Sequence, residues 1–273
     1  MKRMEKEIIE RLKKSGYPLE IKVTLTLESR KWNVLNQEGY RDPESGKWRT
    51  IDILATKAIE LSSSSSYRRL HTSLLIECKK METSWVFWVR QKRTMRIFDP
   101  IVAYGLIKSE SKPQLDPLQF EKLAGCFHYY RSEFDKVALI SIEPWKKGKE
   151  ALFEAKNQVI KCLLYKRERL RDFLLREQVL GKIGVIKEKM GIMSLFFPVI
   201  IVDGLLYEME FLDEEPKLKP VNYIQYLTSF GVLEPEYFVI DIVRIDFLEK
   251  YLDIIEETVK QLAKNLPLIR PSK

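Results

Sequence analysis

Between residues 20 and 28 apolar and polar side chains alternate without a break. Ile21, Val23, Leu25 and Leu27 point one way; Lys22, Thr24, Thr26 and Glu28 point the other. A two-residue period over that length predicts a half-buried β-strand. Upstream, residues 3–15 carry Ile8, Ile9 and Leu12 on one side and stop at Gly16, the pattern of a helix. Downstream, Asp42-Pro43 and Ser45-Gly46 within residues 39–47 are turn signals. Strands are expected after them at 48–55 (WRTIDILA) and 70–79 (LHTSLLIECK), and the serines Ser62 to Ser66 read as a flexible connection.

Farther along, Trp85 to Val89 is strongly apolar and Gln91 to Arg96 is basic. A helix is predicted over 118–132 and a buried strand over 136–143, closed by Pro144. A long charged helix follows at 149–180, then paired strands across 195–212 that turn at Asp203-Gly204. A strand at 236–244 precedes a helix at 246–264, in which Leu248, Leu252, Ile255, Val259 and Leu262 recur at helical spacing. The order is a mixed α/β pattern. There is no internal repeat, and no Pro/Gly linker is long enough to mark a boundary between domains. Residues 1–273 therefore read as one domain, with Gly181 to Gly191 the weakest point of that reading.

Composition narrows the partners. A chain of 273 residues, 45% hydrophobic, can bury a sizeable core. Its net charge of +8 favours polyanions, such as nucleic acid or an acidic membrane surface. Cys78, Cys126 and Cys162 are widely spaced, the 2 histidines, His71 and His128, stand alone, and no CxxC pair or Cys/His cluster exists, so a structural zinc site is not expected. The thiols suit a reduced, cytoplasmic setting. The N-terminal segment MKRMEKEIIERLKK is charged throughout, unlike a secretory signal. The longest apolar stretch, Leu195 to Val202, is broken by Pro198 and falls far short of the ~20 residues that span a bilayer, so no membrane partner is expected.

The chemistry gathers on the second and third expected strands. Alternation puts Asp52 with Thr50 and Leu54, opposite Ile51 and Ile53; it puts Glu77 and Lys79 with Leu75, opposite Ile76 and Cys78. Adjacent pairing would bring two carboxylates and an ammonium to one spot. Two carboxylates can hold a hard divalent ion, with a backbone carbonyl and water completing its oxygen shell. A lysine beside them can orient or deprotonate a water, while the ion stabilises charge on a phosphate under attack. The plainer readings are that Glu77 and Lys79 form an ordinary strand-end ion pair, worth about 0–1 kcal/mol, and that Asp52 caps a turn.

These residues, Ile51-Asp52-Ile53 and Ile76-Glu77-Cys78-Lys79, together with Gly39-Tyr40-Arg41-Asp42 and Lys47-Trp48-Arg49-Thr50, resemble the PD-(D/E)xK nuclease superfamily. The likeness covers about residues 1–145. It implies a restriction-endonuclease-like core of helix, three-stranded meander, helix and strand, with 146–273 as a C-terminal α/β extension of the sheet whose role is open. It implies that Asp52, Glu77 and the Cys78 carbonyl hold Mg²⁺, with Mn²⁺ as a substitute, and that Lys79 serves the water. It implies hydrolysis of DNA phosphodiesters by metal-activated water, leaving 5′-phosphate and 3′-hydroxyl ends, with RNA as the other candidate substrate. Dimers are common in the superfamily, which makes a homodimer an expectation by analogy. The alternative is a nucleic-acid-binding or assembly module that keeps the fold without cutting. No Pro precedes the Asp here, and the helical Gln and Tyr of some branches are not matched by Gln91 and Met95.

An acid of the first helix sometimes joins such sites. On a helical wheel Glu5 falls within the stripe of Met4, Ile8, Ile9 and Leu12, where it either needs a partner or reaches water at the stripe's edge. Arg41, Lys47, Arg49, Lys80, Arg90, Lys92, Arg93 and Arg96 flank the motif and can track a phosphate backbone, or form a solvated face. Trp85 and Trp88 can stack on bases or sit in the core.

Overall fold

Pro18 in the first turn and the four-residue spacing of Leu19, Val23 and Leu27 make a helix of the segment expected as the first strand. Those three side chains are buried, whereas Ile21 and Leu25 are 58% and 60% exposed. Every second member of a two-residue period also lies four residues apart. The same pattern therefore serves a helix once half of its apolar positions face solvent. The structure, a computed structural model, describes residues 2–61, 69–81, 83–92, 125–130, 135–142, 151–182, 192–212, 215–231 and 236–265. The expected serine connection falls outside these ranges, as do most of the helix expected over 118–132, Arg93 and Arg96. Among the described residues, no helix is long and apolar enough to cross a membrane.

The helices are α1 (Lys2–Lys14), α2 (Tyr17–Ser29), α3 (Ala151–Lys182) and α4 (Leu248–Asn265). The strands are β1 (Asn33–Arg41), β2 (Trp48–Glu60), β3 (Arg69–Lys80), β4 (Trp85–Gln91) and β5 (Lys136–Ile142), then β6 (Ile192–Asp203), β7 (Leu206–Leu212), β8 (Glu215–Val221), β9 (Tyr223–Phe230) and β10 (Glu236–Arg244). They form one 10-stranded sheet in the order β1-β2-β3-β6-β10-β9-β5-β4-β7-β8. β1, β2 and β3 are an antiparallel meander; β3 then pairs in parallel with β6, and β6 in parallel with β10.

Two expectations change here. Residues 195–212 do not form a hairpin: β6 pairs with β3 and β10, and β7 pairs with β4 and β8. The strand next to β3 is also not the one at 136–142, which lies beside β9 and β4. The physical reason is burial. In β6, Leu195, Phe197, Val199 and Ile201 feed one apolar layer while Phe196, Ile200 and Val202 feed the other. A strand apolar on both faces belongs at the centre of a parallel region covered by helices. α2 and α4 cover one face, where Val23, Leu27, Ile255 and Val259 meet Ile53, Ile76 and Val199. α3 covers the other, packing Val159, Ile160 and Leu163 on Leu75 and Ile200, and it provides the crossover that a parallel β3–β6 pair requires.

α3 also pins the β1–β2 turn. Asp42 is fully buried; its Oδ1 accepts from the amides of Glu44 (2.9 Å) and Ser45 (3.2 Å), and its Oδ2 from Arg49 Nε (2.9 Å) and Lys161 Nζ (3.0 Å). Burial opposes the charge, but the hydrogen bonds from Lys161 and the two amides outweigh it and hold this carboxyl well below the usual carboxylate range. Its stabilising effect is therefore complete above about pH 4 and is lost as pH falls through the depressed native value. Asp42→Asn is expected to cost about 1–3 kcal/mol at pH 7 in urea unfolding and to shrink as the pH drops below 4. A cost that does not change with pH would refute the charged role.

Candidate active site

Asp52 lies on β2 one residue beyond the rung Ile53–Ile76, and Glu77 one residue beyond it on β3. The meander thus brings together two acids with 24 residues of chain between them. Asp52 Oδ2 accepts a hydrogen bond from the Cys78 amide at 2.8 Å, which ties its side chain to the Glu77-Cys78 peptide. Lys79 Nζ donates to Glu77 Oε2 at 2.8 Å and reaches Gln158 Oε1 of α3 at 3.5 Å. Pairing of β2 with β3 therefore gathers the expected trio, but the alternation of β2 breaks at Asp52: Ile51 joins the apolar layer under α3 and Ile53 the layer under α2 and α4.

Glu77 is fully buried, and its Oε1 has no hydrogen-bond partner among the described residues. Burial first, and then the charge of Asp52, push its carboxyl up to about 7, against the pull of Lys79. Burial works against charge on Lys79, but Glu77 and Asp52 outweigh it and raise the amine above its ordinary value. Lys79 is thus an ammonium at neutral pH. It can donate a hydrogen bond and stabilise negative charge, and it is poorly suited to take a proton.

Two groups that sequence reasoning missed complete the cluster. Glu20, in the first turn of α2, accepts from Gln37 Nε2 at 3.1 Å; burial and then the Asp52 charge raise its carboxyl above the ordinary value. Gln37 sits on β1 between the rungs Asn36–Ile53 and Glu38–Ile51, across from Asp52, with a left-handed φ of 52°. A non-glycine residue held there stores roughly 1–2 kcal/mol of backbone strain, a feature that concentrates at functional sites. Glu20 escaped notice because its segment reads as a strand. Gln37 carried no signal, since its conformation is set by the rungs around it.

Glu5, the helical acid singled out from the wheel, is exposed on α1. The stripe around it, Met4, Ile8, Ile9 and Leu12, is itself exposed, so an acid within it needs no partner. Gln91, weighed as the glutamine that follows the lysine, lies on β4; the glutamine facing Lys79 is Gln158 on α3.

The basic residues divide. Arg41 donates from Nε to the Gly46 carbonyl at 3.0 Å, and Arg49 to Asp42, so both brace the β1–β2 turn, with Lys47 exposed between them. Lys80 is exposed at the end of β3, and Arg90 lies over the Trp88 ring at 5.7 Å. Lys92 is no surface contact. Its Nζ donates to the Tyr129 carbonyl and to Gln225 Oε1, and burial pushes the amine down to about 7. The chain that follows the apolar strand β4 carries this lysine inward, where two oxygens replace water. Trp85 is core. Trp48, which the sequence did not flag, is 71% exposed at the start of β2, with its ring edge-on to Tyr165 of α3 at 6.3 Å.

Among the described residues, no three His, Cys, Asp or Glu side chains form a metal cage. The donor set is instead two neighbouring carboxylates, with Glu20 behind Asp52. A hard cation accepts such a set, since carbonyl and water oxygens fill its remaining positions. The partnerless Oε1 of Glu77 is an acceptor that such an ion would satisfy. Comparison of the chain with protein-family models, with curated proteins and with solved structures finds no match.

Proposed function

We propose that this chain is a divalent-metal-dependent nuclease of the PD-(D/E)xK type that hydrolyses phosphodiester bonds of DNA. One observation carries the reading: a wholly buried glutamate beside a second carboxylate, with one oxygen on an ammonium and the other on no partner among the described residues. Lys79 offsets only part of the burial and of the Asp52 charge that act on this carboxylate, so a cation beside the two acids would relieve what remains. The arrangement of α2, the β1–β2–β3 meander, α3 and β6 supports the reading, since it has the helix, meander, helix and strand of a restriction-endonuclease-like core. β4 and β5 intervene between β3 and α3, and α3 and β6 come from beyond residues 1–145.

Asp52, Glu77 and the Cys78 carbonyl would hold Mg²⁺ or Mn²⁺. The ion, when bound, would supply positive charge at the scissile phosphate and acidify a nearby water. The chain's own groups do the rest. Lys79 would donate from Nζ toward that phosphate or the attacking water, with Gln158 and Glu77 fixing its direction, while Glu20, held by Gln37, adds negative charge near Asp52. The exposed Trp48 and the neighbouring Lys47 offer a ring for a base and a charge for the backbone. They also favour the second reading, a module that binds nucleic acid without cutting it.

The test is incubation of the protein with plasmid, linear DNA and single-stranded RNA in Mg²⁺, Mn²⁺ or EDTA. Cutting of DNA that EDTA stops is expected; salt-sensitive binding with no nicks in either metal supports the second reading. Calorimetric titration with Mn²⁺ gives a readout apart from activity. The ion must displace a proton from Glu77, so binding should be about tenfold weaker at pH 6 than at pH 8. Equal affinity at both pH values would remove Glu77 from the metal site.

A further inference from the structure

On the sheet face away from Glu77, β2, β3 and α4 enclose a recess of ≈ 340 Å³, some of it open to solvent. It is lined by Trp32, Ile59, Thr72 and Val259, with Lys57, Glu256 and Lys260 also bordering it. Thr72, on the rung it shares with Lys57, is 1% exposed, and its hydroxyl has no hydrogen-bond partner among the described residues. A buried hydroxyl left unpaired costs about 1–3 kcal/mol, while valine has the same shape and no such cost. A threonine here therefore asks for something to bond to. The indole and aliphatic carbon of its wall give ordered water few partners.

The charges of the recess are unevenly matched. Glu256 accepts from Lys57 Nζ (3.0 Å), Trp32 Nε1 (3.2 Å) and Arg30 (3.0 Å). Burial opposes its charge, but the bonds from Arg30 and Lys57 prevail and lower its carboxyl below the ordinary value. The Glu256–Lys57 pair is thus neutral as a unit. Lys260, one helical turn beyond Glu256, is exposed and has no ion-pair partner among the described residues. A cation stands at the outer end and a free hydroxyl at the inner end, with apolar walls between.

We propose that this recess is a binding site for a small amphiphilic anion, whose apolar body carries a hydrogen-bonding atom that meets Thr72 and a carboxylate or phosphate that meets Lys260. The site is independent of the carboxylate cluster and of any nuclease activity. Its occupant lies on α4, β2 and β3 together and ties the helix to the sheet.

The probes are 4-hydroxybenzoate, benzoate, 4-hydroxybenzyl alcohol and adenosine 5′-monophosphate. Each is titrated into the full chain to millimolar concentration. The readout is the Trp32 indole N–H resonance, assigned with Trp32→Phe. Saturable binding of 4-hydroxybenzoate is expected, about 5- to 10-fold weaker for benzoate, which lacks the inner hydroxyl, and for the alcohol, which lacks the charge. Thr72→Val should erase the first difference and Lys260→Ala the second. Val259→Phe, which fills the recess, should abolish binding while the far-ultraviolet spectrum stays native. The adenosine 5′-monophosphate arm separates the sources. Tighter binding than 4-hydroxybenzoate identifies a phosphate head, and weaker binding a carboxylate. The proposal fails if no probe saturates, or if neither Thr72→Val nor Lys260→Ala alters binding. It also fails if Thr72→Val lowers the melting temperature, since that would mean the hydroxyl already has a partner.

Discussion

Replacing Lys79 by Ala is expected to lower metal-dependent DNA cleavage by about 10²–10⁴-fold, with the fold retained. Through its 2.8 Å bond to Oε2, the ammonium is the side-chain donor on Glu77, and its charge pulls against the burial and the Asp52 charge that raise this carboxyl. Without it Glu77 loses that donor in a dry setting, and its carboxyl should move farther above 7. The variant should therefore still bind Mn²⁺ at pH 8, by calorimetry, and lose binding more steeply toward pH 6 than the parent. Asp52→Asn should lose cutting and metal affinity together, because the amide would still face the Cys78 N–H but no longer carry charge. Those two variants separate the hydrogen-bonding and charge work of the lysine from the ion-holding work of the acids. A pure, folded Lys79→Ala protein that cuts at the parent rate would end the catalytic assignment.

The largest loss of stability is expected from Asp241→Ala, about 3–5 kcal/mol by urea unfolding at pH 7. Asp241 sits on β10, in the middle of the sheet, and is 2% exposed. Tyr223 donates its hydroxyl to Oδ1 at 2.7 Å, Tyr251 of α4 donates to Oδ2 at 2.9 Å, and His128 Nε2 lies 3.3 Å from Oδ2. Gln225 continues the chain to Lys92 by donating to the Tyr223 hydroxyl at 2.7 Å and accepting from the lysine. Removing the carboxylate takes the acceptor from two phenols and the nearby charge from a buried imidazole at once. Truncating one member of a joined network costs more than a single hydrogen bond, because every orphaned group keeps its desolvation penalty. Tyr251→Phe removes one donor and leaves the ring in place, so it should cost only about 1 kcal/mol. Equal losses for the two variants would show that ring packing, not the shared carboxylate, holds this region of the core.

Much of this is legible in the sequence. The strands carrying Asp52 and Glu77 announce themselves by apolar alternation, and α4 by the spacing of Leu248, Leu252, Ile255, Val259 and Leu262. The pairing of the two strands follows from their closeness along the chain. Lys92 was misread for a different reason. A lysine after a run of tryptophan and valine looks like the start of a basic face, and only the inward course of the chain reveals the Tyr129 and Gln225 oxygens that receive it. Glu20 was hidden by the helix–strand ambiguity of its segment. β6 was visible as an apolar run, yet its neighbours were not, since a buried strand reads alike wherever it stands in a sheet.

By itself the sequence determined where the chain must turn and that two acids and an amine stand on neighbouring strands. These are local matters, decided by side-chain period and by turn chemistry within some thirty residues. Tertiary structure alone decided that α2 is a helix and that β6 stands beside β3. It alone set Glu20, Gln37 and Gln158 around the acids, drew Lys92 inside, and left a hydroxyl unpaired under α4. Each of those choices turns on which distant apolar surface covers which, a competition among many long-range packings of similar local cost. No window of the chain contains both competitors.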